Sequence, residues 1–348
     1  MIFHFGPLIR KWTIRFNGGS IEPVQDFDVA TASINAQTHQ DGFLYPPTNR
    51  DVVIDPSTGQ TLEDIPKTQR PARLFRLPPT HTLDLPDIAS EEPHRETHAF
   101  NLHLLGYLFG VSPQFSDWYF DRRVQIQLLR THNIDYSPDT CQSFLSHCYD
   151  LWGALRAEER RLFVNVLAMH CRAPSYYWDW EQFMMEYTVL DSCWKLASGR
   201  RGLPAKTPHE KRITVMCKDL GVRYQDDGST HIREIVRLRK DLFHEATWDG
   251  SQPCFATGDG ILQVHNLRRL NQRLVPALLG YATAYVSTPW WIIDTFGFVL
   301  IKHARNSLIH YLSPFPTLRV IFHEHSATCF SRPFHQARRS ELCCQPIT

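Results

Sequence analysis

Two side chains five positions apart, Arg239 and His244, offer the most usable chemistry in this chain. A guanidinium presents a fixed fork of donors that suits a phosphate, and an imidazole moves protons near neutral pH. Both lie in the stretch from His231 to Gly250. At about 100° per residue this stretch makes an amphipathic helix. Ile232, Ile235, Val236, Leu242, Phe243 and Ala246 share its apolar stripe, and Arg239 falls in the middle of it. Arg239 is therefore expected to be buried against a carboxylate, a carbonyl array or a bound anion, because an uncompensated guanidinium in a core is very costly. Asp191 is the first candidate for that carboxylate and Glu186 the second, although Asp191 reads equally well as a solvated carboxylate on a helix edge. His244 sits about 140° further round the helix. It is in line with Arg233, Arg237 and Lys240, a basic stripe that suits a phosphate.

The elements that must position these groups are helical. Helices are expected from Thr140 or Asp139 to Leu155, from Ala157 to His170, and onward from an opening at Pro174-Ser175. Phe183, Tyr187, Leu190, Trp194 and Ala197 form one stripe of that third helix, with Asp191 at its edge. A basic loop over 199–207 leads to a helix from Pro208 to Leu220, stopped by Gly221. Ser229 or Thr230 is the expected N-cap of the central helix. A further amphipathic helix from about Val264 to Val286 is expected to pack over the Arg239 side.

Residues 1–95 read differently. Trp12 to Phe16 alternates with period two and runs into Gly18-Gly19, a hairpin signal. Phe27–Ile34 and Ala72–Leu77 are further candidate strands, and 86–96 reads as a linker. A helix then begins near His98 and ends at Gly110, and 119–126 reads as extended. The fold class is α+β: a β-rich module over 1–95, an all-helical bundle over 96–288, and a poorly ordered tail over 289–348 with an abrupt change of composition. The first module is either a recognition module or a structural cap.

Composition narrows the partners. A formal charge of +1 over 348 residues gives no global basic field, which disfavours a constitutive nucleic-acid coat protein. Nine cysteines without a Cys-x-x-Cys pair point to reduced thiols and a cytoplasmic chain. The N-terminus has no basic segment followed by an apolar core, so no signal peptide is expected. Leu274 to Ile301 carries no Lys or Arg, but Pro276, Gly280, Pro289, Asp294 and Gly297 break it. It is expected to be globular, with no membrane partner. His323, His325, Cys329 and His335 are zinc-ligand types at a spacing that fits no established pattern, so neither metal nor cofactor is expected.

Arg239-x4-His244, late in a helical region, resembles the Arg-x(4–6)-His motif of HEPN domains. The string from Arg239 to Gly250, and the arrangement Phe183-x3-Tyr187-x3-Asp191, are similar to their abortive-infection (ApeA-like) branch. The resemblance covers the helical region and fades past Pro289. It implies a HEPN-like bundle that forms a homodimer and acts as a metal-independent endoribonuclease in antiviral defence. Arg239, His244 and Asp191 would stand at its catalytic site, and Arg233, Arg237 and Lys240 would contact the RNA backbone. Lys240 directly follows Arg239, where the commonest catalytic pattern has a small polar residue. A non-catalytic bundle that binds a nucleotide or a protein partner is therefore a second reading. A third makes Arg239 and His244 an internal ion pair and a helix-terminal histidine.

Overall fold

The computed structural model describes residues 1–46, 52–55, 57–64, 74–88, 95–127, 134–135, 137–204, 206–225, 227–253, 260–292 and 298–299. Among these residues the architecture is α+β, with eight α-helices and a small antiparallel sheet. The zinc-ligand types near His323 and almost all of the expected tail lie outside them.

Strand β1 (Ile2–Gly6) precedes the expected hairpin of β2 (Ile14–Phe16) and β3 (Gly19–Pro23). The glycine pair is required by close approach. A Cβ on Gly19 would lie 1.9 Å from the carbonyl oxygen of Asp84, and one on Gly18 would lie 2.2 Å from the Tyr149 ring. Phe27–Gln37 is helix α1, not the expected strand. Its buried residues are Phe27, Ala30, Thr31 and Ile34, a helical period, while Val29 faces solvent. The β-branched content over 27–34 imitated a strand, but burial follows period 3.6.

Short strands β4 (Phe43–Leu44), β5 (Val52–Ile54) and β6 (Thr61–Asp64) lead to β7 (His81–Asp84). The expected strand near Ala72–Leu77 is reduced, among its described residues, to a single bridge between Phe75 and Phe120. Helix α2 (Glu96–Phe109) starts and stops close to where the sequence places it, with Gly110 left-handed at φ 63°. Strand β8 (Gln114–Phe115) follows, then β9 (Val124–Gln125) in the segment expected to be extended, and β10 (Ile134–Asp135).

The main sheet has the order β2-β3-β7-β1-β8, antiparallel throughout. Its fifth strand comes from beyond residue 95. Ile14, Ile21 and Leu83 align across it and join Phe5 and Phe115 in the same core as Leu104 and Leu108 of α2. The sheet is thus fastened to the helices by shared apolar burial, the dominant favourable term in folding.

Helix α3 (Pro138–Ala154) is capped by Ser137, whose Oγ accepts from the Thr140 amide at 3.2 Å, in place of the expected Thr140 or Asp139. Helix α4 (Ala157–Arg172) is followed by a 3-10 turn over Ala173–Ser175. Helix α5 (Asp179–Arg201) therefore starts later than Pro174-Ser175 and ends beyond Ala197. Glu181 accepts from the Trp178 amide at its start, and Gly202 ends it. Helix α6 (His209–Leu220) matches its expected span. Helix α7 (Asp227–Glu245) begins before the expected cap residues, and α8 (Gly260–Leu278) stops short of Val286 near left-handed Gly280. Strand β11 (Phe298–Val299) pairs with β10 in parallel.

Helix α8 forms the centre of the bundle, being buried along almost its whole length and packed chiefly on α5. Helix α7 lies at the edge and buries only Gly228, Ile232, Ile235 and Leu238. Among the described residues no helix is long and apolar enough to cross a membrane.

Candidate functional site at the edge of α5, α6 and α7

Leu238 takes the core position on α7 that the sequence pattern assigned to Arg239. The stripe is narrower than expected: Val236 and Leu242 are half-buried, Phe243 is 45% exposed, and Ala246 lies past the helix end. Arg239 is consequently half-buried at the border, and Asp191 does not hold it. Its Nη1 donates to Nε2 of His244 at 3.0 Å. Its Cζ lies 5.3 Å from the Phe243 ring and 5.9 Å from the Tyr187 ring. Cation–π contact replaces the expected carboxylate. The Nε of Arg239 is buried with no hydrogen-bond partner among the described residues. Because a guanidinium only donates, His244 accepts at Nε2, and a neutral ring then carries its proton on Nδ1. His244 is exposed.

Asp191, one turn beyond Tyr187 on α5, pairs instead with α6. Arg212 Nη1 donates to Asp191 Oδ1 at 3.1 Å and to His209 Nδ1 at 3.3 Å, while its Nε donates to the Thr207 carbonyl. His209 Nδ1 is 3.5 Å from Asp191 Oδ1, and its ring stacks on Tyr187 at a centroid distance of 6.4 Å. Burial, followed by the charges of Arg212 and Arg239, pulls the His209 pKa below its usual value against the opposing pull of Asp191. Burial, with a further push from Asp191, raises the Tyr187 hydroxyl to about 12. The structure thus gathers Asp191 and Arg239 around Tyr187, with His244 bonded to Arg239, and adds His209 and Arg212. Sequence reasoning missed those two because only the packing of α6 on α5 and α7 brings them to the site. Their i, i+3 spacing at the start of α6 was the one available signal.

The expected RNA contacts divide. Arg233 is exposed and donates to Thr230 Oγ1, and Lys240 is exposed. Arg237 meets Glu234, Asp241 and Asp249 at 2.9, 3.0 and 3.1 Å, so its charge is already compensated. Asp249 also accepts from the Gly260 amide at 2.9 Å, and the Trp248 ring lies beside Phe183, leaving no room for a Cβ on Gly260. The end of the Arg239–Gly250 string is therefore a clasp between α7 and α8.

Glu186, the second candidate for Arg239, serves a different arginine. Its carboxylate accepts from Arg268 Nη1 at 2.7 Å, Asn271 Nδ2 at 2.8 Å and His170 Nδ1 at 2.9 Å, all buried. Burial opposes ionisation of Glu186, but His170, Arg268 and the hydrogen bonds outweigh it and hold the carboxyl below its usual pKa. Burial lowers the His170 pKa, and the pull of Glu186 offsets this only in part. Glu186 and Arg268 form the ion pair, with His170 as a further hydrogen-bond donor. Among the described residues no group of three or more His, Cys, Asp or Glu is placed to hold a metal ion. No family model, no curated protein and no solved structure matches the chain.

Proposed function

We propose that the Arg239–His244 edge of α7 is the active site of a metal-independent endoribonuclease, of HEPN type, acting as a homodimer in the cytoplasm in abortive-infection-type antiviral defence. One observation carries the reading: an arginine and a histidine in direct contact on an accessible helix edge, 3.0 Å apart, with the imidazole exposed. A phosphodiester arriving at Arg239 competes for the guanidinium now bound to His244. Drawn onto the phosphate, Arg239 stabilises the charge that grows on the phosphorane-like transition state. The same movement frees Nε2 of His244 to accept the proton of the ribose 2′-hydroxyl. The 2′-oxygen then bonds to phosphorus, the bond to the 5′-oxygen breaks, and that oxygen takes up a proton. Exposed Arg233 and Lys240 lie on the same helix and would contact neighbouring phosphates.

A non-catalytic bundle that binds a nucleotide or a protein partner is favoured by two specific observations. Lys240 directly follows Arg239, and three carboxylates surround Arg237. Cleavage of RNA by the purified protein with chelator present separates the two readings. His244→Ala is expected to lower the rate by about 10²–10⁴, the usual cost of losing a general acid–base group. Equal rates in both proteins end the catalytic reading, and binding without cleavage in either supports the bundle that only binds.

A further inference from the structure

We propose that His209, positioned by Arg212 and Asp191, is the second proton-transfer residue of this site, supplying the leaving 5′-oxygen with its proton from the same protomer that carries His244. The inference rests on the ribonuclease reading and deepens it. Cleavage through a 2′-oxygen needs two proton transfers, one away from the nucleophile and one to the leaving group. The Arg239–His244 pair accounts for the first.

The α6 pair has the complementary arrangement. Arg239 donates to Nε2 of His244, whereas Arg212 donates to Nδ1 of His209. The proton of a neutral His209 is thereby placed on Nε2, the nitrogen opposite its bond to Arg212. His209, Arg212 and Asp191 are each partly open to solvent, with side-chain exposures of 34, 24 and 38%. Tyr187 is the shared floor: the His209 ring stacks on it, and the Arg239 guanidinium lies 5.9 Å from its centroid. The two arginine–histidine pairs therefore border one aromatic surface, from α6 and from α7.

The charges around His209 fit the role. Tyr187 and Asp191 face it from α5, Arg212 from its own helix and Arg239 from α7. Burial and the two guanidiniums favour the neutral ring. A phosphate bound at those guanidiniums offsets their charge and draws Arg212 away from Nδ1, whose proton in the imidazolium is then accepted by Asp191 Oδ1, 3.5 Å away; this is the form that acts as an acid. The imidazolium gives its Nε2 proton to the 5′-oxygen as the P–O5′ bond breaks, and His244 holds the proton taken from the 2′-hydroxyl. Return of a proton from solvent to His209, and loss of one from His244, resets the pair.

The test compares wild type, His209→Ala, His209→Gln and His244→Ala on two RNA oligonucleotides with chelator present. One has ordinary phosphodiesters; the other carries a single bridging 5′-sulfur, a leaving group that departs without protonation. Both His209 variants should cleave ordinary RNA about 10²–10⁴ times more slowly and approach the wild-type rate on the sulfur-bridged bond, with unchanged melting. His244→Ala should be slow on both. Wild-type rates in the His209 variants on ordinary RNA overturn the inference and leave the ribonuclease reading standing. Equal slowing on both substrates overturns it as well, by reducing His209 to a positioning residue. A wild type inactive on both substrates removes the ribonuclease reading and this inference together.

Discussion

Among the described residues, two arginine–histidine networks are built from the same residue types, and depth separates them. Around Glu186, the His170 and Arg268 side chains are almost wholly enclosed, and the carboxylate receives bonds from His170, Arg268 and Asn271. Around Tyr187, Arg239 has no carboxylate within salt-bridge distance among the described residues, and His244 is exposed. Charges taken out of water have to be matched almost completely, so the enclosed network is committed to holding α4, α5 and α8 together. At the edge, water shares the cost, and a guanidinium can remain incompletely matched and available to a ligand. Residue type alone does not separate the two networks; depth and the completeness of charge compensation do.

The largest expected effect lies in the enclosed network. Glu186→Ala leaves Arg268 buried without its carboxylate and should destabilise the fold by about 3–5 kcal/mol, as breaking a buried pair does. The midpoint of urea denaturation measures it, and a shift no larger than that of an exposed substitution would erase the distinction between the two networks.

Acid should act on the enclosed groups next. Burial lowers His103 to about 4, so above pH 6.5 it is neutral in folded and unfolded chains alike. As the pH falls from 6.5 towards about 4, the unfolded chain binds the proton first and stability is lost. Glu186, depressed below its usual 4.5, adds a further loss as the pH drops through its folded value. Denaturation midpoints between pH 7 and 4 should therefore fall continuously, and a level profile would contradict this assignment.

Asp191→Ala should cost far less, roughly 0.2–1 kcal/mol, because its pair with Arg212 is part-exposed. A loss of several kcal/mol would place Asp191 with Glu186 as a structural carboxylate. The smallest stability effect is expected for His244→Ala. Its imidazole covers little core, so the melting temperature should stay within about 2 °C, on the scale of a surface substitution below roughly 0.5 kcal/mol, while catalysis falls. A fall in both together would favour a structural role for the Arg239–His244 contact.

The helices were largely legible in the sequence because apolar spacing survives wherever one face is buried. The ends of α2 and α6 show it, at Gly110 and Gly221. The strand expected over 27–34 fails because a short run of mixed residues satisfies two periods, and only the buried face chooses between them. The Arg239 assignment fails for a related reason. A helical wheel gives angles but not the width of the contact, and α7, packed from one side only, buries Leu238 and leaves Arg239 at the border.

By itself, then, the sequence determined which side chains share a helix face, and so placed Arg239 and His244 near one end of one amphipathic helix. Tertiary structure alone decided their partners. Asp191 turned to Arg212, Glu186 to Arg268, and His209 joined the edge of the site. Spacing along one helix is set by local backbone geometry, whereas an ion pair between helices depends on how deeply each is packed and in which rotation. Those are properties of the assembled core, where α8, with its buried arginines, holds the centre that the sequence pattern assigned to α7.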